Sequence, residues 1–184
     1  QDLRVRAGAD APYIGGECAD LDDYSQHAGL LARADAALGG IDAVLVAHGC
    51  LPDQQACADS VPLMLAQWTT NGGSAMAILA LAANLLQPRG HGVLAAIGSV
   101  AGDRGRQSNY MYGTAKGALA IYLQGLRHRL APHGVAVLTI KPGFVDTPMT
   151  AGLDKDGPLW ASADTVAAGI VKAMRRGQAQ AYLP

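Results

Sequence analysis

The chain has 184 residues, half of them hydrophobic but only 5% aromatic, and a formal net charge of -1. That length suits one domain spanning residues 1–184, with a core large enough to need no staple, and an interior of Ala, Leu, Val and Ile suits helices packed on a parallel sheet. The near-neutral balance, with cationic clusters no longer than Arg175–Arg176, excludes a basic nucleic-acid footprint and points to a neutral or small anionic partner.

Along the chain, apolar runs alternate with helical patterns. "APYIGGECADL" is a short strand-like run ending at Asp20 and Leu21, followed by a helix over Ser25 to Leu38 that Gly39 and Gly40 stop. "IDAVLVAHG" predicts a buried strand, Val61 to Leu86 a long helix broken at "QPRGHG", and "GVLAAIGS" the next strand. A helix from about Ser108 to Leu130 comes next. "GVAVLTIKPG" is another strand, "SADTVAAGIVKAMRRG" a helix opened by Ser162 or Asp164, and "QAYLP" a last strand. Strand, helix, strand, helix with continuously apolar strands predicts a doubly wound parallel sheet in a three-layer α/β/α fold of the Rossmann type. In such a sheet ligands bind at the carboxyl ends of the strands. Here that rim holds Asp20 and Leu21, then Ala47 to Gly49, then Ser99, then Pro142 onward.

Cys18, Cys50 and Cys57 are odd in number and lack CxxC or zinc-ligand spacing, so they read as reduced thiols in a cytoplasmic protein. The most apolar run, Ala75 to Leu86, is twelve residues long, well short of the roughly 20 that a membrane span requires. "QDLRVRAGAD" carries charge where a signal peptide would have its apolar centre. The first residue is not Met, which leads us to expect that earlier residues were removed.

The chemistry concentrates on "SNYMYGTAKGAL". Residues four apart on a helix share a face, so Tyr112 and Lys116 can act on one point, while Tyr110 leaves on another side above Thr114. Ser99 stands thirteen residues before Tyr112 at the end of its strand. A hydroxyl, a phenol and an ammonium converging there are the parts needed to move a proton to or from a carbonyl or alcohol oxygen. The ammonium would stabilise the phenolate, although bringing a phenol from about 10 to neutrality requires roughly 3 pKa units. The residues alone leave other uses open. Asn71 could cap or bridge a helix break at Gly72 and Gly73, Asp20 could be an N-cap, and His48 could be a rim histidine bonded to backbone. His27, His91, His128 and His133 read as surface or structural, and no metal site is expected.

"YGTAK" with "GSVAG" resembles the YxxxK and serine segments of the short-chain dehydrogenase/reductase family at that family's spacing. "VAHG" looks like a variant of its NNAG segment, "KPGFVDTPM" resembles its PG motif with the following threonine, "CADL" its acidic segment, and Asn71 in "WTTNGGS" its helix asparagine. The resemblance implies that Tyr112 is the acid/base, that Lys116 holds the nicotinamide ribose, that Ser99 orients the substrate and that Asn71 supports a water relay. It also implies NAD or NADP as cofactor. Asp20 would meet adenine and Leu21 flank it; Ala47, His48 and Gly49 would line the cofactor turn; Pro142, Gly143, Val145 and Thr147 would hold the nicotinamide face. A homodimer or homotetramer built through the two long helices is implied as well, acting on a small alcohol or carbonyl substrate. "GDRGRQSNYMYGTAKGAL" and "TPMTAGLDKDGPLW" are further similar to reductases that act on a decaprenylphosphoryl ketopentose.

Two features depart from that pattern. No TGxxxGxG loop occurs, so the first βαβ segment, roughly 30 residues or more, is expected to be missing from the chain. The NNAG segment has lost both asparagines. A relative that keeps the scaffold as a non-catalytic binding or regulatory subunit is the alternative: the absent glycine loop favours it, and the intact Ser, Tyr and Lys oppose it.

Overall fold

The computed structural model describes residues 15–155 and 159–184. Its helices are α1 (His27–Leu38), α2 (Gln54–Asp59), α3 (Val61–Trp68), α4 (Ser74–Leu86), α5 (Tyr110–Leu130) and α6 (Ala163–Arg175). The strands are β1 (Ala43–Val46), β2 (Gly92–Ile97), β3 (Val135–Pro142), β4 (Phe144–Asp146), β5 (Trp160–Ser162) and β6 (Gln180–Leu183). Strands β1, β2, β3 and β6 lie side by side in that order, all parallel, while β4 and β5 pair as a separate two-stranded sheet.

Strand residues alternate between the sheet's faces. Leu94, Ala96, Val135 and Val137 pack with α4 and α5 on one side; Ala95, Leu138 and Ile140 pack with Val166, Ile170 and Ala173 of α6 on the other. The expected α/β/α layering is therefore present. Local chemistry sets its ends. Gly39 adopts φ 70° and returns its N–H to the last carbonyls of α1, a conformation open to glycine at little steric cost. Side chains of Asp53, Ser60 and Ser162 accept N–H groups of the first turns of α2, α3 and α6.

Three expectations need correction. Residues 15–21 of the first expected strand form no strand, and 11–14 fall outside the described residues. Gly15 and Gly16 supply no side chain to pack in a strand, and Asp20 turns the chain by accepting the Asp22 N–H. Asp20 is not a helix cap either, because Asp23 caps the short helical turn that follows. The long helix from Val61 to Leu86 is interrupted by a π turn, Thr69–Gly73, where two glycines and two β-branched threonines favour the regular helix poorly. Helix α2 and the β4–β5 pair are additions: elements of three to six residues are too short to show a period. Among the described residues no helix is long and apolar enough to cross a membrane.

Candidate active site

Ser99 leaves the end of β2 in an extended conformation and caps a 3-10 turn, accepting the Ala101 N–H at 3.1 Å. That turn lies directly on α5, and glycines make the approach possible. A Cβ at Gly113 would sit 2.6 Å from the Ala101 carbonyl, one at Gly117 2.9 Å from the Gly102 carbonyl, and one at Gly102 2.7 Å from the Gly117 nitrogen. Gly113 and Gly117 are four apart, so the helix stripe beside Tyr112 and Lys116 is bare backbone. Backbone contact between turn and helix is what brings the serine to the tyrosine. The Ser99 hydroxyl lies near enough to the Tyr112 phenol to favour its ionised form.

Lys116 is only 4% exposed. Its ammonium donates to the Ile97 carbonyl at 3.0 Å and lies 5.7 Å from the centroid of the Tyr112 ring. Burial pushes this lysine down to about 8, against a weaker opposing influence of Cys50. Burial raises the Tyr112 phenol, and the nearby Ser99 hydroxyl opposes the rise. Desolvation thus outweighs the expected stabilisation of the phenolate. Tyr110, by contrast, is half exposed.

The π turn carries Asn71 into the same place. Gly72 packs on Ala115 of α5, and the Asn71 amide accepts the Cys50 N–H at 2.9 Å while donating to the Gln67 carbonyl at 3.1 Å. Asn71 thus bridges a helix irregularity, as one reading expects, and in addition holds the turn after β1. Gly49, at φ 152°, completes the group, since a Cβ there would sit 3.0 Å from Asn71 Oδ1 and 3.3 Å from Lys116 Nζ. The missing side chain leaves the backbone close against both the amide and the lysine.

Leu21, Ala47 and His48 line one groove of about 380 Å³ along β1 and α1, so three of the residues expected around adenine and the cofactor turn do share a surface. His48 bonds to the Ser74 hydroxyl at 2.7 Å, not to backbone. Burial, reinforced by Lys116 and opposed by Asp22, holds it below the ordinary histidine range and therefore neutral at pH 7. The register pairs Ile97 with Ile140, so Ser99 and Pro142 each lie two residues further along adjacent strands. Beyond them Gly143 donates to the Leu183 carbonyl, Val145 sits in β4, and Thr147 starts a short capped turn. Two residues of the site escaped the sequence reading. The Cys50 thiol donates to Gln67 at 2.9 Å and stands against the Asn71 amide, and the one available signal was a glutamine four residues before Asn71 in an otherwise apolar helix. Among the described residues no cluster of His, Cys, Asp and Glu could hold a metal, and all three cysteines are free.

The chain belongs to the short-chain dehydrogenase family, whose model matches residues 8–157. It is 33% identical over 165 residues to the uncharacterized oxidoreductase Rv2073c of Mycobacterium tuberculosis, covering 90% of this chain and 66% of that protein. An uncharacterized oxidoreductase of Streptomyces coelicolor is 36% identical over 168 residues, covering 90% and 64% respectively. The chain thus spans just under two thirds of the length of these relatives. Among solved structures, a short chain dehydrogenase of Burkholderia cenocepacia in complex with NADP superposes with a TM-score of 0.77 at 20% identity, covering 90% of this chain and 67% of that one. One from Sphingobium yanoikuyae in complex with NADPH gives 0.75 at 21%, covering 89% and 65%. At such identities the likeness speaks for the fold.

Proposed function

We propose that this protein is an NAD- or NADP-dependent oxidoreductase of small alcohol and carbonyl substrates, with Tyr112 as the proton-transferring group. The observation that carries the reading is the convergence of Ser99, Tyr112 and Lys116 at the end of β2, held by backbone contact between a turn and α5. A nicotinamide held by Lys116 and the segment from Pro142 to Thr147 would supply hydride to a carbonyl carbon or take it from an alcohol carbon. Tyr112 gives the proton to the carbonyl oxygen in reduction and takes it from the alcohol in oxidation. Its raised pKa keeps the phenol protonated at neutral pH, the form needed for donation. Ser99 donates a hydrogen bond to the same oxygen as charge builds there. Lys116 holds the ribose beside Gly49, and Asn71 fixes that turn. Asp20, Leu21, Ala47 and His48 take the adenosine side; Pro142, Gly143, Val145 and Thr147 take the nicotinamide side.

We further propose a homodimer or homotetramer. Val61 and Leu65 on α3 and Ile121 on α5 are 61%, 54% and 71% exposed, the apolar positions that a second copy would cover.

The test is consumption of NADH and NADPH by the protein as its gene encodes it, across a panel of aldehydes, ketones and ketoses. Turnover with at least one carbonyl at a rate above the uncatalysed reaction is expected. Tight cofactor binding with no turnover on any carbonyl or alcohol would instead mark a binding subunit.

A further inference from the structure

Lys141 has no part in the chemistry above, yet its side chain is buried at the end of β3, only 7% of the residue being exposed. An apolar residue of the same volume would avoid the desolvation of an ammonium, so a buried cation whose carboxylate partner is 35% exposed speaks less for stabilisation than for an imposed geometry. Its partners show what that geometry is. The ammonium is paired with Asp103, which directly follows the 3-10 turn capped by Ser99, and it donates to the Tyr182 hydroxyl of β6 at 3.4 Å. Tyr182 in turn donates to the other Asp103 oxygen at 3.2 Å, and its ring lies 5.3 Å from the ammonium. Burial alone would lower the Lys141 ammonium, but Asp103 and Tyr182 outweigh it and raise it, so the cation persists.

The three residues come from three places. Asp103 belongs to the segment that joins Ser99 to α5, Lys141 immediately precedes Pro142 and Gly143, and Tyr182 lies one residue before the Leu183 carbonyl that binds the Gly143 N–H. The Ser99 turn is therefore held from two sides, by glycine contacts on α5 and by this cluster on the neighbouring strands. We propose that Lys141, Asp103 and Tyr182 are positioning residues that hold the Ser99 turn in register with the segment after β3, and so set where the serine hydroxyl meets the substrate oxygen. The consequence for the reaction rests on the oxidoreductase reading; the structural part does not.

Lys141→Met keeps the volume and leaves Asp103 free to hydrate, whereas Asp103→Asn strands a buried cation, so the lysine variant is the cleaner probe. Amide hydrogen exchange at Ala101 and Gly102 should quicken at least tenfold in Lys141→Met, while exchange at Leu138 in the same strand stays within twofold. Turnover should fall about tenfold or more with cofactor KM unchanged, Tyr182→Phe should show a smaller loss of the same kind, and Lys141→Met combined with Asp103→Asn should be no worse than the more damaging single change. Unchanged exchange at Ala101, or exchange that rises equally at Leu138, would overturn the proposal. Should the wild-type protein turn over no substrate, the oxidoreductase reading fails and the exchange measurement still decides this one.

Discussion

Strands β3 and β1 run parallel in one sheet, yet β3 is buried almost throughout, whereas β1 alternates between exposed and covered positions and leaves Leu45 41% exposed. Among the described residues β1 is the sheet's edge, bordered by an apolar groove that runs along α1. The difference maps onto the site. Ser99, Tyr112 and Lys116 stand on the closed flank, where backbone contacts leave little freedom, and the groups expected to meet adenosine stand on the open one. The geometry of Ser99, Tyr112 and Lys116 is a property of close packing, while the flank along β1 and α1 is open among the described residues.

This contrast can be pressed by substitution. Lys116→Met should have the largest effect, cutting turnover by about 10²–10⁴-fold while stabilising the folded protein at pH 7 by about 1–3 kcal/mol. The sign follows from the depressed pKa: below about 8 the ammonium is charged in both states and penalises the folded one, and the penalty disappears as pH rises toward the unfolded value. Chemical denaturation of wild type should therefore show stability rising above pH 8, and the variant should lack that rise. Leu138→Ala, in the centre of β3 and fully buried, should lower stability by about 2–5 kcal/mol. Gly102→Ala should reduce turnover about tenfold or more at little change in cofactor KM, because the new methyl would press the Ser99 turn off α5. Leu45→Ala should be the mildest, costing less than about 1 kcal/mol, since the side chain is already half in water. A Leu45→Ala loss as large as that at Leu138 would erase the distinction between the two flanks.

The same contrast explains what could be read from the chain. Apolar runs long enough to be buried on both faces, "GVLAAIGS" and "GVAVLTIKPG", stand out by composition, and the four-residue spacing of Tyr112 and Lys116 follows from helix geometry. The stretch before Asp20 misleads because its apolar character is that of a strand while Gly15 and Gly16 oppose one. The π turn has no period of its own, and only the poor helix formers of "TTNGG" hint at it. Cys50 and Gln67 meet across seventeen residues, and Lys141 looks in sequence like one polar residue in a strand. Contacts of single side chains between distant segments leave no local pattern.

The central claim is that Tyr112, and not its neighbour Tyr110, moves the proton that accompanies hydride transfer. It is tested most directly by single-turnover transfer of deuterium from reduced nicotinamide labelled at C4 to an accepted carbonyl substrate, in wild type, Tyr112→Phe and Tyr110→Phe. The account predicts label on the carbinol carbon at similar rates in wild type and Tyr110→Phe, and a rate lower by about 10²–10⁴-fold in Tyr112→Phe with cofactor affinity within a few-fold. Transfer by Tyr112→Phe within tenfold of wild type would contradict it.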